Sequence, residues 1–274
     1  TDALPDMARE LRFYPADNSN PRTLSIDQID GFNENGYLCP IDVMSSSEVE
    51  RNRAYFDRVM TMAEAAGLNS YSVNGWQSSC AGIYDPVMDV RIIDLVEDLI
   101  GPNLACTMTH YFCKMPGDVK QVSWHQDASY WPLTPSKVVT VWLVIDDVDG
   151  EMGPMQVVPG SHIHGQIPFE HSKAEENNVL KQTVPNAERY GDPVPFLMKA
   201  GQISMHTDLL LHGSEPNSSD RRRFGLTLRY MPPDVRGRDP DHQTAVIARG
   251  EDPSGYWVHM ERPVGEAVPE RHRK

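Results

Sequence analysis

The sequence predicts an α+β fold that is mainly β, with a β-sandwich or small barrel as its functional core. Helix signals occupy the first hundred residues, and short segments rich in β-branched and aromatic residues, separated by Gly and Pro turns, follow them. A chain of 274 residues that is 39% hydrophobic can build one large core. We therefore predict a single domain over residues 1–274, with a helical part at about 24–102, a β core at about 103–233 and a polar tail at 234–274.

Three helices are predicted from capping signals and apolar spacing. Ser25 and Gln28 form one capping box, Ser45 and Glu48 form another, and the dipeptide at 85–86 places a proline at the start of a third helix. A glycine ends each segment. The predicted helices cover Ser25–Gly36, Ser45–Gly67 and Asp85–Gly101.

The middle of the chain predicts strands. They cover Leu104–Lys114, Lys120–His125, Val138–Ile145, Met155–Val158, Gln202–His206 and Phe224–Met231. The polar segment 169–195 lies between two of these strands, so we interpret it as an insertion that covers the site as a mobile flap. The tail after Pro232 is rich in Pro and Gly, although Tyr256, Trp257 and Val258 could dock it on the core.

Composition excludes several classes of protein. A net charge of −14 disfavours nucleic acid as a partner, and the basic run 221–223 is too short for such an interface. No apolar run is long enough to cross a bilayer, and the first residues do not resemble a secretory signal, so we expect a cytoplasmic protein without a membrane partner. The four cysteines lack C-x-x-C spacing, which predicts reduced and mostly buried thiols. Nothing in the sequence indicates an oligomeric state.

A candidate metal motif occurs at the end of a predicted strand. Residues i and i+2 of an extended segment project to the same side, so His125 and Asp127 can reach one metal ion. A histidine and an aspartate at this spacing are common by chance. Alone, the motif is more typical of a surface His–Asp hydrogen bond than of a metal site.

A second histidine strengthens the hypothesis. His212 follows another apolar strand about 85 residues after Asp127, and two histidines with one carboxylate leave open positions on iron(II) for oxygen and a chelating co-substrate. Arg223 lies eleven residues later on the next strand, where it could bind the far carboxylate of a keto-diacid through two parallel hydrogen bonds. A rival triad of His206, Asp208 and His212 would leave the first motif without a role.

Three motifs in this order resemble the phytanoyl-CoA dioxygenase family of iron(II)- and 2-oxoglutarate-dependent oxygenases. They are Trp124-His125-Gln126-Asp127, Val157-Val158-Pro159-Gly160-Ser161-His162, and His212-Gly213-Ser214 with Asn217 and Arg223. The resemblance covers roughly residues 24–233. It implies a double-stranded β-helix, or jelly roll, with helices buttressing one sheet, and it implies iron(II), 2-oxoglutarate and O2 as the reacting partners. The ligands that it implies for iron are His125, Asp127 and His212.

The chain also resembles iron-dependent halogenases within that family. Those enzymes have a small residue where this chain has Asp127, so the resemblance implies hydroxylation or a related oxidation and not halogenation. By matching positions, Arg223 should hold the C5 carboxylate of 2-oxoglutarate. Thr140, Trp142 and Arg229 are further candidates for the co-substrate pocket.

Candidate substrate contacts come from residues near the motifs. They are His110, Tyr130, Trp131 and His206. We expect hydroxylation of an unactivated C–H bond in a small polar metabolite or biosynthetic intermediate, with 2-oxoglutarate converted to succinate. Desaturation, epoxidation and cyclisation use the same cofactors and remain open. A metal-binding jelly roll without this activity, or an isomerase on the same site, is the rival from another class.

Overall fold

The computed structural model describes residues 4–241 and 243–272, and it places helices before most of the strands. The helices are α1 (Ile26–Asn35), α2 (Ser46–Ala65), α3 (Ala81–Tyr84), α4 (Val90–Ile100) and α5 (Asp127–Tyr130). The strands are β1 (Tyr37–Asp42), β2 (Leu104–Lys114), β3 (Val122–His125), β4 (Val139–Val144), β5 (Met155–Val157), β6 (Glu170–His171), β7 (Gln182–Thr183), β8 (Val194–Pro195), β9 (Gln202–Thr207), β10 (His212–Ser214), β11 (Arg223–Met231), β12 (Gln243–Arg249) and β13 (Trp257–His259).

Both predicted capping boxes form. The Ser25 hydroxyl accepts a hydrogen bond from the Gln28 amide, and the Gln28 side chain accepts one from the Ser25 amide. Gly36 then ends α1 with φ +84°, a conformation that favours glycine. The box at Ser45 and Glu48 opens α2 in the same way. Local side-chain chemistry therefore sets where these helices begin.

The predicted start of the third long helix at Asp85 was wrong. Residues Asp85–Met88 form a 3-10 turn, and α4 begins only at Val90. The Asp89 carboxylate accepts a hydrogen bond from the Arg91 amide, so Asp89 is the true N-cap.

Two main sheets face each other as a jelly roll. The larger has seven strands in the order β1-β9-β4-β11-β2-β12-β13, and the smaller has the order β3-β10-β5-β8. Strands β6 and β7 pair separately. Pairing is antiparallel throughout the large sheet except between β12 and β13. The architecture confirms the predicted mainly-β fold.

The large sheet has one face for the helices and one for the site. Along β4, Val139, Val141 and Leu143 belong to the same buried cluster as residues of α1, α2 and α4. The alternate residues Thr140 and Trp142 point to the opposite face and line a cavity between the sheets. This alternation is the two-residue period of a strand, and the helices therefore buttress the face that is turned away from the site.

The β structure extends beyond the predicted core in both directions. Strand β1 lies inside the part that was predicted to be helical, and it pairs with β9 at the edge of the large sheet. Its Pro40 hides the strand signal, although an edge strand tolerates proline. Residues beyond 233 also join the large sheet, because β12 pairs with β2 and β13 pairs with β12. Tyr256 and Trp257 are buried, as expected, but Val258 is exposed.

The segment 169–195 is more deeply anchored than its polar composition predicts. Phe169, Val184 and Ala187 pack in a buried cluster with Leu211, the residue before β10. Its first half, residues 170–183, contributes the small β6–β7 pair. The polar sequence alone is thus a poor guide here, because a few well-spaced apolar residues suffice to attach the segment to the core.

All four cysteines are free, and Cys80, Cys106 and Cys113 are buried, which confirms the expected thiols. Among the described residues, none of the helices combines the length and the apolar character needed to cross a bilayer.

Candidate metal centre

The predicted triad converges between the sheets. His125 ends β3, Asp127 begins α5 two residues later, and His212 begins β10 directly opposite His125 in the antiparallel pair. Oδ1 of Asp127 lies 3.7 Å from Nε2 of His125 and 4.0 Å from Nε2 of His212. One donor atom from each residue fits within 4.8 Å of the others, and all three residues are buried. Residues 85 positions apart in the chain thus form one donor set.

Backbone contacts orient both histidine rings. Nδ1 of His125 lies 2.7 Å from the carbonyl oxygen of Ser123, and Nδ1 of His212 lies 2.9 Å from that of Leu210. A ring that donates from Nδ1 carries its free lone pair on Nε2. Both Nε2 atoms face Asp127, which is the orientation that a metal ligand needs. Burial, and then the charge of His125, hold the pKa of His212 well below its ordinary value. The ring is therefore neutral, and its Nε2 can donate a lone pair to a metal ion.

The two oxygens of Asp127 have different neighbours. Oδ1 faces the two ligand histidines, whereas Oδ2 accepts a hydrogen bond of 3.2 Å from Thr140 and lies 3.8 Å from Nε2 of His206. Burial raises the pKa of this carboxyl. The neighbouring His125 and His206 outweigh that effect and hold the pKa well below its usual range. Asp127 is therefore an anion at neutral pH.

Gln126 holds in place the turn that presents His125 and Asp127 to the cavity. Its side-chain amide donates to the carbonyl oxygens of Gly165 and Leu209, and its side-chain oxygen accepts from the Ile167 amide. The residue is buried and all three contacts are to backbone. Gln126 thus ties the metal turn to two other segments, while His125 and Asp127 project toward the cavity.

Arg223 lies at a separate wall of the same cavity. It is 3% exposed, and Nη1 donates to the Gly153 carbonyl over 3.0 Å. Its guanidinium carbon is 5.3 Å from the ring centre of Trp142. Gly225 makes room for this arrangement, because a Cβ atom there would lie 2.4 Å from the Trp142 indole nitrogen. Within the described chain, Nε of Arg223 has no hydrogen-bond partner and is free for an anionic ligand.

The cavity has a volume of about 580 Å³ and collects every candidate residue from the sequence. Its lining includes the triad, the four co-substrate candidates and the four substrate candidates, namely His125, Asp127, His212, Arg223, Thr140, Trp142, Arg229, His110, Tyr130, Trp131 and His206. His206 points into the cavity, while Asp208 beside it bonds to Ser136 and does not line it. The geometry therefore groups His206 with the first motif and not with the rival triad.

Sequence reasoning missed one wall of the cavity. The loop between α2 and α3 contributes Asn69, Tyr71, Ser72 and Asn74. Its residues are polar and follow no period, so no local signal distinguished them from an ordinary surface loop.

Sequence reasoning also missed Lys114. It is fully buried beside Arg223, which is its partner across β2 and β11, and its amino group donates to the carbonyls of Ser214 and Glu215.

The donor set fits iron(II). Two neutral imidazoles and one carboxylate on one side of an ion are the arrangement found in oxygen-activating iron enzymes, and a structural zinc site would be closed by a fourth protein ligand. Within residues 4–241 and 243–272, no fourth His, Cys, Asp or Glu joins the cluster. The His206 ring also lies near Asp127. However, its Nε2 is 3.8 Å from Oδ2, the carboxylate oxygen that does not face His125 and His212.

Comparison with known proteins identifies the family of this chain. The family model for phytanoyl-CoA dioxygenase matches residues 32–225. The peroxisomal phytanoyl-CoA dioxygenase of Rattus norvegicus is 25% identical over 246 residues, which covers 81% of this chain and 72% of that protein.

Solved structures share the fold. The apo form of the non-heme monooxygenase ThoJ superposes with a TM-score of 0.75 at 25% identity, covering 86% of this chain and 88% of that one. CytC3 with Fe(II) and alpha-ketoglutarate has a TM-score of 0.64 at 20% identity, covering 90% and 99%. The motifs, the fold and the family match lead to one conclusion: this chain belongs to the phytanoyl-CoA dioxygenase family of non-heme iron(II)- and 2-oxoglutarate-dependent oxygenases.

Proposed function

We propose that this protein hydroxylates a C–H bond of a small polar metabolite or biosynthetic intermediate while 2-oxoglutarate is converted to succinate. The observation that carries the proposal is the buried triad opening into the same cavity as Arg223. A binding module without a co-substrate would have no use for a buried guanidinium with a free donor beside a metal site. Burying such a cation without a partner is costly, so an anionic ligand is expected there.

The residues divide into two groups. His125, Asp127 and His212 hold iron(II), and the backbone carbonyls that contact the two Nδ1 atoms keep the rings in place. Arg223, with Trp142 beside it, binds the far carboxylate of 2-oxoglutarate. When bound, iron, 2-oxoglutarate and O2 supply the oxidation, and the protein supplies position and a dry environment.

The cavity walls suit a small, mixed polar and apolar substrate. Tyr130 and Trp131 form an aromatic wall beside the triad, and the Tyr130 hydroxyl is fixed by the Gln182 amide at 3.0 Å. Across the cavity, His110 lies against the loop with Asn74. Burial, followed by the charge of Arg229, lowers the pKa of His110 to about 4, so its ring is neutral. Its Nε2 donates to the Tyr71 carbonyl over 2.9 Å, which leaves Nδ1 able to accept one hydrogen bond.

Two measurements test this function. Anaerobic wild-type protein should give a visible charge-transfer band when iron(II) and 2-oxoglutarate are both added, and His125→Ala and His212→Ala should abolish it. His164→Ala, an exposed histidine outside the cavity, is the control. A band that survives in both ligand variants would refute the metal assignment.

The second measurement screens metabolites for stimulated succinate formation. The product mass then separates addition of one oxygen from loss of two hydrogens, and so separates hydroxylation from desaturation or cyclisation. The Asp127→Ala variant should lose hydroxylation activity. The proposal does not require that this variant gain halogenation activity. Absence of both band and succinate in the wild type would favour the non-catalytic alternative.

A further inference from the structure

Arg229 is a second buried arginine in the cavity, and among the described residues two of its three side-chain nitrogens have no hydrogen-bond partner. It is 5% exposed, and its guanidinium carbon lies 4.8 Å from the ring centre of Trp131. Across residues 4–241 and 243–272, Nε and Nη1 have no hydrogen-bond partner. A buried cation is normally paired, and leaving its donors empty costs more than an ordinary lost hydrogen bond. The side chain is therefore arranged to meet a ligand.

The strand register separates Arg229 from Arg223. Arg229 lies opposite Thr140, which contacts Asp127, so Arg229 is at the level of the metal triad. Arg223 is six residues earlier on the same face of β11. At about 3.3 Å per residue their Cα atoms are roughly 20 Å apart. The two arginines thus serve different parts of the cavity.

The formal charges leave Arg229 unbalanced. Iron(II) and Arg223 together would neutralise the carboxylate of Asp127 and the two carboxylates of 2-oxoglutarate. Among the described residues, Asp127 is the one acidic side chain that lines the cavity. With the metal and co-substrate in place, the cavity therefore holds one uncompensated buried cation, and a further anion restores the balance.

We infer that Arg229 binds an oxyanion group of the substrate, a carboxylate or a phosphonate, and that the substrate is therefore an anionic metabolite. This inference rests on the proposed function and adds a substrate class to it. Met108, opposite Arg229 on β2, and Trp131 give the anion apolar walls that exclude water and strengthen the ion pair. The bound anion fixes which carbon of the substrate faces the metal triad.

Nuclear relaxation of small probes tests the inference without the natural substrate. The sample is the whole chain with manganese(II) in place of iron and with 2-oxoglutarate bound. Two anionic probes are used: methylphosphonate is observed by its phosphorus NMR signal, and trifluoroacetate by its fluorine NMR signal. Trifluoroacetamide is the neutral match to trifluoroacetate. The zinc(II) form gives the diamagnetic baseline, and 2-oxoglutarate affinity is measured separately for each variant.

Wild-type protein should enhance the relaxation of at least one anionic probe well above that of trifluoroacetamide. Arg229→Gln should weaken binding of that probe about tenfold or more, while Arg229→Lys should retain part of it. Arg221→Gln removes an exposed arginine that pairs with Asp149 and should change nothing. Which probe responds then distinguishes a phosphonate from a carboxylate.

Three results would overturn the inference. They are equal relaxation of anionic and neutral probes, enhancement that Arg229→Gln and Arg229→Lys leave unchanged, and loss of 2-oxoglutarate affinity in Arg229→Gln without loss of probe binding. The last result would return Arg229 to the co-substrate pocket, where sequence resemblance had placed it. Failure of wild-type protein to bind 2-oxoglutarate at all would count against the proposed function instead.

Discussion

The hydroxyl of Thr140 donates a hydrogen bond to Oδ2 of Asp127 over 3.2 Å and thereby joins the two sheets at the metal site. Thr140 belongs to β4 of the large sheet, and Asp127 follows β3 of the small one. The bond occupies the oxygen that faces away from His125 and His212. Asp127 is thus held so that it presents Oδ1 alone to the triad centre.

Replacing Thr140 by Val should weaken iron(II) binding roughly tenfold, within the range seen when groups that orient metal ligands are lost. Thr140→Ser keeps the hydroxyl and should recover most of the affinity. Thr227→Val is the control, since its hydroxyl bonds to the His110 carbonyl on the same sheet face and not to Asp127. Anaerobic iron(II) titration measures all three, and equal affinity in Thr140→Val and wild type would disprove the orienting role.

Replacing Arg223 by Ala should weaken 2-oxoglutarate binding by about 2–5 kcal/mol, because a buried carboxylate would lose its charge-assisted partner. Arg223→Lys should restore only part of this, because an ammonium lacks the two parallel donors of a guanidinium. Titration of the anaerobic iron complex with 2-oxoglutarate gives the affinities. If Arg223→Ala binds 2-oxoglutarate normally while Arg229→Ala does not, the two arginines have exchanged roles.

The segment 169–195 places Val179 and Leu180 at the cavity, and we predict that they cover it during the reaction. Replacing both by Ala should leave iron and 2-oxoglutarate binding nearly intact. Because water can then enter, succinate formed per substrate oxidised should rise. Leu197→Ala, which removes an exposed leucine just after β8, is the control. Unchanged coupling in the double variant, or loss of metal binding, would mean that this segment is structural support.

Asp98 anchors the chain that precedes α1. Its carboxylate accepts from the backbone amides of Arg22, Thr23 and Leu24, and it is 3% exposed. Asp98→Asn should lower the free energy of unfolding by about 2 kcal/mol, because the amide group turns one acceptor into a donor. Asp94→Asn, which removes a partly exposed partner of Arg249 from the same helix, should have little effect.

The pKa of Asp98 gives this anchor a pH dependence. Burial raises the pKa, but hydrogen bonds from the three backbone amides more than offset it, so the folded-state pKa lies below the ordinary value. The stabilisation is therefore present above about pH 4 and is lost as the pH falls through the lower folded-state pKa. Urea unfolding between pH 5 and 3 should show a steeper loss of stability in wild type than in Asp98→Asn. Parallel curves would contradict the assignment.

Asp208 should act in the opposite direction. Burial, together with the negative charge of Asp127, raises its pKa to about 7. Between about pH 4 and 7 the folded protein then holds a proton that the unfolded chain has released, so stability falls as the pH rises through this window. At about 1.4 kcal/mol per pKa unit, the loss is a few kcal/mol at most.

Asp208→Asn tests this sign, because the amide can still accept from Ser136 but cannot ionise. The neutral rings of His110 and His212 favour the fold at higher pH, but they do so equally in both proteins. In urea unfolding of metal-free protein, the stability of the wild type relative to the variant should therefore fall between pH 5 and pH 8. A wild type that gains stability from pH 5 to 8, with a variant that behaves alike, would show that Asp208 is ionised in the folded state.

Local spacing made much of the site predictable. His125 and Asp127 share a face because they are two residues apart in extended chain. The capping boxes set the starts of α1 and α2 for the same reason. In each case the interacting residues lie within a few positions of one another, so the sequence contains the interaction directly.

The sequence by itself predicted the mainly-β architecture, and it identified three candidate metal ligands and a candidate arginine eleven residues after the second histidine. Only the tertiary structure decided which loop closes the cavity at Asn74, that β12 and β13 extend the large sheet, and that Thr140 and His206 flank the second oxygen of Asp127. The physical reason is that these contacts join segments far apart in the chain. Their pairing depends on sheet register and burial, which the packing of the whole core fixes and no local pattern encodes.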